Sequence, residues 1–281
     1  MAQIHTIKKN VTIKDLDINK SYDDNDEDFL STLFSADFTS VFSDQDSSSI
    51  KQTHSYTRPA RQWGLPTFQD QVDRGISQYE LIVGPHRVLL DLEFRKNSTG
   101  SDIWDSTLVL AHYLRNIQLS GKHVLELGSG VGGVGLLCKL MGAASVTLTD
   151  LEPNCDLLRR NAIKNALGEQ VNVFCLEWGV IPLAPHVKDL KLDFILGSDL
   201  FLPFAPELLK PLCQTISVLL HECCTESAIA ILVYEERFDC SPFFDFCKEF
   251  ELTVEFVHND ELVAPYKDPG RIHVIKLHKY R

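Results

Sequence analysis

No stretch of the 281 residues stays apolar for the ~18–20 positions that a bilayer-spanning helix needs. The first residues, MAQIHTIKKNVTIKD, lack the apolar core of a secretory leader. Basic residues are in deficit, with 27 Lys and Arg against 39 Asp and Glu, a net charge of −12. Such a field repels nucleic-acid phosphates and anionic lipid, so neither nucleic acid nor membrane is expected as a partner. It suits a basic partner instead, such as a lysine-bearing protein surface. The eight cysteines (Cys138, Cys155, Cys175, Cys213, Cys223, Cys224, Cys240 and Cys247) form no C-x-x-C pair, and no His stands at zinc-finger spacing from them. They read as small buried hydrophobes carrying reduced thiols, in a cytosolic or nuclear protein without a metal site. No internal repeat or coiled-coil surface is present, so a monomer is expected.

What is present suffices for one sizeable domain, since 44% of residues are hydrophobic. Residues 1–57 differ from the rest: SYDDNDEDFLSTLFSADF and SDQDSSSI are acidic and Ser-rich. A stretch so poor in apolar side chains cannot offset its ordering entropy, and a flexible acidic tail is expected. Residues 58–120 are expected to form a β-hairpin and a helix packed on the core. The hairpin runs from Gln78 to Val83 and from Arg87 to Phe94 around Gly84-Pro85; the helix follows Asp105-Ser106, one of which is the expected cap. From residue 121 to 281, apolar strands alternate with helices. Strands are expected at His123–Leu127, Ser145–Thr149, Val171–Leu176, Leu192–Gly197 and Ala228–Tyr234, with helices at Gly132–Met141, Pro153–Ala166, Pro206–Cys223 and Pro242–Phe250. Two further strands, Leu252–Val257 and Ile272–Leu277, close the chain. This is the pattern of an α/β fold with a mostly parallel sheet covered on both faces and an antiparallel C-terminal hairpin.

The strongest local signal is Val124-Leu-Glu-Leu-Gly-Ser-Gly-Val-Gly-Gly-Val-Gly135, which follows a strand and opens a helix. Glycine there lets the backbone turn sharply and approach a ligand. Asp150 ends the next strand 22 residues after Gly128, near the spacing at which an acidic side chain receives ribose hydroxyls. A ligand with an adenosine-like ribose follows. Gly128, Gly130 and Gly133 also satisfy the dinucleotide fingerprint. Glu126 argues against a dinucleotide, because a carboxylate two residues before the first glycine suits a cationic amino acid better than a pyrophosphate. Asp150 has a structural alternative as the cap of the following helix.

These residues, with Ile103-Trp-Asp-Ser106, Thr149-Asp-Leu-Glu152, Leu176-Glu-Trp-Gly179, Ser198-Asp199, Tyr234-Glu-Glu-Arg237 and Arg271-Ile-His-Val-Ile275, make the chain resemble the methyltransferase family 16 protein-lysine N-methyltransferases. Among them it is similar to the type acting on the valosin-containing protein. The resemblance implies a seven-stranded Rossmann-like class I methyltransferase fold and S-adenosylmethionine as cofactor. It implies that Trp104 and the backbone of Gly128, Ser129 and Gly130 line the methionine side, with Asp150 on the ribose, Trp178 by the adenine and Ser198 beneath the sulfonium. The structural alternative for Trp104 and Trp178 is that of core aromatics.

A lysine amine, whose pKa in water is about 10.4, must shed its proton before it can attack a methyl group. Asp199 is the expected catalytic residue, steering that amine. Phe201 and Tyr234 are expected channel walls and Glu235 a second acidic contact. Relatives commonly carry Asp-x-x-Tyr where this chain reads Asp199-Leu-Phe-Leu202. The missing hydroxyl keeps two alternatives open: a cofactor-binding scaffold with little activity, or a small-molecule methyltransferase.

Overall fold

The computed structural model describes residues 65, 77–93 and 100–280. All of them fall within one compact unit, Arg61–Arg281. The expectation of an acidic tail over residues 1–57, and the end of the hairpin at Phe94, lie outside the described residues.

Strands β1 (Gln78–Val83) and β2 (His86–Asp91) pair antiparallel, with Val83 opposite His86. The two-residue turn between them is Gly84-Pro85, and Gly84 supplies the positive φ (+58°) that a tight hairpin requires. Helix α1 (Asp105–Tyr113) follows. Its N-cap is Trp104, and no side chain caps it. This corrects the expectation of an Asp105 or Ser106 cap: both already lie inside the helix, and the Ser106 hydroxyl donates to Asp199 instead (3.3 Å).

The chain then alternates through β3 (His123–Leu127), α2 (Gly133–Leu140), β4 (Ser145–Asp150), α3 (Glu152–Lys164), β5 (Val171–Cys175), a short α4 (Pro185–Lys188) and β6 (Leu192–Ser198). A 3-10 turn at Pro206–Leu208 leads into α5 (Leu209–Glu222), then β7 (Cys224–Glu235), α6 (Ser241–Glu249), β8 (Leu252–Phe256) and β9 (Ile272–Lys279). The seven-stranded sheet has the order β5-β4-β3-β6-β7-β9-β8. Pairings from β5 through β7 are parallel, while β9 runs antiparallel to both β7 and β8. The last two strands thus form the expected hairpin, but the final one is wedged inside the sheet rather than left at its edge.

Consecutive residues of a strand face opposite sides of a sheet. Val124 therefore feeds the core beneath α1, α2 and the β1–β2 hairpin, while Leu125 and Leu127 feed the core beneath α5 and α6. Ile231 and Val233 against Ala230 and Leu232 repeat the division on β7. Such two-sided apolar strands need helices on both faces, which explains the layered architecture. It also leaves the carboxyl ends of β3, β4, β5 and β6 as the place where loops can build a site.

Two buried polar groups fix that end of the sheet. Asn161 on α3 is fully buried. Its Oδ1 accepts from the Asp91 backbone (2.8 Å), and its Nδ2 donates to the carbonyls of Val131 (2.9 Å) and Asp91 (3.2 Å). The side chain thereby locks the hairpin to the glycine turn. Glu126 on β3 lies under α2 and accepts from the Gly135 N–H (3.0 Å). A Cβ on Gly135 would come within 2.2 Å of Leu148 Cδ2 and 2.8 Å of Glu126 Oε2, so glycine is what permits α2 to sit this close. Burial pushes the Glu126 carboxyl up to about 8, although hydrogen bonds from Gly135 and Ser129 oppose the rise.

Asn161→Ala takes a side-chain partner from one N–H and two carbonyls, and is expected to cost about 2–4 kcal/mol in urea denaturation. A loss below about 0.5 kcal/mol would show that the lock is not holding. For Glu126, the folded carboxyl keeps its proton between pH 4.5 and about 8 while the unfolded one has lost it. Stability therefore falls as pH rises through that window. Wild type should lose about 5 kcal/mol more than Glu126→Gln across it, at 1.36 kcal/mol per pK unit. Parallel pH curves for the two proteins would contradict the assignment.

Candidate active site

The turn from β3 to α2 is built on alternate left-handed glycines: Gly128 (φ +54°), Gly130 (+55°) and Gly132 (+84°). Only glycine adopts this conformation without a steric cost. Ser129, between them, stitches two strand ends together. Its Oγ donates to the Glu126 carbonyl (3.1 Å) and accepts from Thr149 N (3.1 Å), while Ser129 N donates to the Thr149 carbonyl (2.9 Å). The space that a Cβ would take on Gly128 is held by Leu200 Cδ2 (2.7 Å) and the Trp178 ring (3.3 Å). Trp178 and Leu200 thus converge on the first glycine from the loops after β5 and β6.

Asp150, the last residue of β4, faces this turn. Its Oδ2 accepts from Gly130 N (2.8 Å), and its Oδ1 accepts from Leu151 N (2.7 Å) and Asn154 Nδ2 (2.8 Å). Burial raises its proton affinity, and the three donors work against that rise. An ionised carboxylate offers roughly four lone-pair sites, so about one acceptor position remains for a hydroxyl. Asp150 therefore supports the start of α3, as a capping residue would, and keeps capacity for a ligand. The N-cap proper is Leu151.

On the other side of the turn, β6 ends at Ser198, whose Oγ lies 3.2 Å from Thr107 Oγ1 on α1. Asp199 follows in a left-handed conformation (φ +61°), anchored by its N–H to the Val233 carbonyl (2.7 Å). That conformation costs a non-glycine residue about 1 kcal/mol or more, and such strain concentrates at functional positions. The Asp199 carboxylate is engaged by Ser106 and by the guanidinium of Arg237. Arg237 Nε lies 3.3 Å from Glu235, and its Cζ stands 5.5 Å from the centre of the Trp104 ring. Trp104, Asp199, Glu235 and Arg237 thus form one cluster, half of it carried on the end of β7. Burial raises the Glu235 carboxyl, with Arg237 opposing.

The structure brings Gly128, Ser129, Gly130, Asp150 and Trp178 together, and joins Trp104 to Asp199 through Arg237. Glu126 is turned inward to α2, away from the open side of the turn. Phe201 and Tyr234, the expected channel walls, are both buried. Phe201 is 1% exposed, stacks on Tyr234 (4.3 Å) and lies tilted against Phe243 (4.6 Å), so the rings pack together in the core. Sequence reasoning missed Arg237 as a partner of Asp199, although it stands in the distinctive Tyr234-Glu-Glu-Arg237 segment.

The lysine methyltransferase family model, Methyltransf_16, matches residues 87–250. Protein N-lysine methyltransferase METTL21A of Danio rerio is 35% identical over 146 residues, covering 50% of this chain and 64% of that protein. The Mus musculus protein of the same name is 28% identical over 201 residues, covering 69% and 84%. The chain thus aligns with less than two thirds of the zebrafish relative. A solved structure, complexed with SAH, of a chain assigned as a methyltransferase superposes with a TM-score of 0.50 at 16% identity, covering 72% of this chain and 56% of that one; this likeness speaks to the fold alone. With more than half of its length matched, this chain belongs to the lysine methyltransferase family Methyltransf_16.

Proposed function

We propose that the protein transfers a methyl group from S-adenosylmethionine to the side-chain amine of a lysine in a protein substrate. The observation that carries this reading is Asp199: a buried carboxylate in a left-handed backbone conformation, at the carboxyl end of β6, beside both Trp104's cluster and the glycine turn. Family membership supplies the reaction class.

The cofactor site fits the residues present. Asp150 retains acceptor capacity for a ribose hydroxyl, and the left-handed turn from Gly128 to Gly130 lies beside it with Trp178 and Leu200 packed on Gly128. Trp178 offers a ring face for the adenine, and Ser198 with Trp104 borders the reacting end. Glu126 contributes from beneath, by holding α2 against β3. S-adenosylmethionine, when bound, supplies a methyl group on a cationic sulfur.

The protein's own residues then position the acceptor. Asp199 orients the incoming amine, and Glu235 adds a second negative charge that draws a cation to the site. The proton leaves to solvent, since burial in a site next to a sulfonium disfavours the ammonium form. Attack in line needs alignment above all, so rate comes from holding the amine in place. Leu202 offers no hydroxyl to the amine, and the Asp199 carboxylate is held by the Ser106 hydroxyl instead. The net charge of −12 favours a basic substrate surface, and the free cysteines suit the cytosol or nucleus. Among the described residues no helix is long and apolar enough to cross a membrane.

Asn is the substitution for Asp199 that best tolerates its positive φ. With labelled S-adenosylmethionine and cell extract, Asp199→Asn should lower labelling of protein bands roughly 10²-fold. Labelling equal to wild type would refute the role. Asp150→Ala should weaken S-adenosylhomocysteine binding by calorimetry at least about 100-fold, through loss of a charged hydrogen bond and loosening of Gly130. Its circular dichroism should stay that of wild type. An unchanged affinity would mean that the ribose lies elsewhere.

A further inference from the structure

Under the proposed function, a lysine cation enters the space in front of Asp199. In the structure a cation already stands there. The Arg237 side chain is only 7% exposed, against 5% for Asp199 and 17% for Glu235. Its guanidinium contacts Asp199, lies 3.3 Å from Glu235 and approaches the Trp104 ring at 5.5 Å. Two carboxylates and an aromatic face are the chemistry that recognises an alkyl cation. Nothing in the backbone forces this arrangement. Asp199 and Arg237 are 38 residues apart, just past the ends of adjacent strands β6 and β7, and the Asp199 backbone is already fixed by Val233.

We propose that Arg237 is an internal stand-in for the target side chain: it fills the acceptor cradle of Asp199, Glu235 and Trp104, and the substrate's amine enters by displacing it. This rests on the reading of Asp199 as the acceptor-side residue. Three consequences follow from elementary chemistry. A guanidinium keeps its proton at any physiological pH and offers no lone pair, so Arg237 occupies the cradle without being consumed. Its presence balances the charge of the buried Asp199 and the half-buried Glu235 while no substrate is bound. An incoming lysine must repay the contacts that Arg237 gives up. A side chain delivered with supporting contacts from a folded protein surface can do so, whereas a free alkylamine cannot. Arg237 thereby selects protein substrates over small amines.

The sharpest test converts the stand-in into a target. Arg237→Lys places an amine in the cradle. Once its proton has gone to solvent, the amine lone pair attacks the methyl carbon and a nitrogen–carbon bond forms. The carbon–sulfur bond breaks with its electron pair staying on sulfur, giving S-adenosylhomocysteine and a methylated, positively charged side chain. Purified full-length Arg237→Lys incubated with S-adenosylmethionine should carry methyl at position 237 by peptide mass spectrometry, and wild type none. An Arg237→Lys protein that binds S-adenosylhomocysteine like wild type yet carries no methyl at 237 overturns the proposal.

A second variant gives an answer without cofactor or turnover. Arg237→Ala empties the cradle, which should then bind n-butylammonium, the side-chain fragment of lysine. Titration followed by thermal shift, with sodium chloride at matched ionic strength as control, should show saturable stabilisation at least tenfold tighter than in wild type. Equal responses from the two proteins overturn the proposal even where Arg237→Lys has lost cofactor binding. Failure of the enzyme reading itself appears separately, as a wild type that neither binds S-adenosylhomocysteine nor labels any protein in extract.

Discussion

The site depends on one hydrogen bond, from the Gly130 N–H to the Asp150 carboxylate at 2.8 Å. It joins the carboxyl ends of β3 and β4, and through Asn154 and Leu151 it also sets the start of α3. Without it the glycine turn would have one fewer reason to adopt its left-handed steps. The bond is costly to place, because it draws a carboxylate out of water. Three N–H donors make that burial tolerable. Glu126 has fewer donors, Gly135 and Ser129, and burial holds its carboxyl protonated up to about pH 8.

From this bond the remaining geometry follows in steps. Ser129 ties the turn to Thr149, Asn161 ties it to the hairpin, and Gly135 lets α2 press onto β3 and β4. The opposite wall is raised by β6 and β7, whose ends carry Asp199, Glu235 and Arg237. A parallel sheet delivers all of these at one edge because its strands all end on the same side. The chemistry of the family needs a cofactor on one side of that edge and an amine on the other, and the strand order separates the two by the width of β3 and β6.

Much of this was legible in the sequence. Apolar runs that end in Gly128, Asp150 and Ser198 marked the strands, because an abrupt change from branched apolar residues to glycine or a polar group is where a buried strand meets its loop. The glycine spacing and the distance to Asp150 marked the two strand ends that the Gly130–Asp150 bond joins, for the same local reasons. Other features were not legible. The first part of β7, Cys224-Thr-Glu-Ser, is polar at the sheet's far end and reads as a loop, yet the strand begins there. The insertion of β9 between β7 and β8 is a matter of pairing, which periodicity does not encode. Trp104 precedes a helix without a capping side chain, since Ser106 is drawn to Asp199 by tertiary contact. Phe201 and Tyr234 look like channel residues by position; they stack on each other, and Phe201 packs against Phe243 in the core. The engagement of Asp199 by Arg237 spans strands and is invisible to any local pattern.

The central claim is that the crevice between the glycine turn and the end of β6 receives the methyl donor with its reactive end toward Asp199. A crystal structure of the full chain with S-adenosylhomocysteine tests it most directly. The account predicts ribose hydroxyls on Asp150, adenine against Trp178 and sulfur on the Ser198 side of the turn. A ligand bound away from Gly128–Gly130, or with its sulfur pointing away from Asp199, would contradict it.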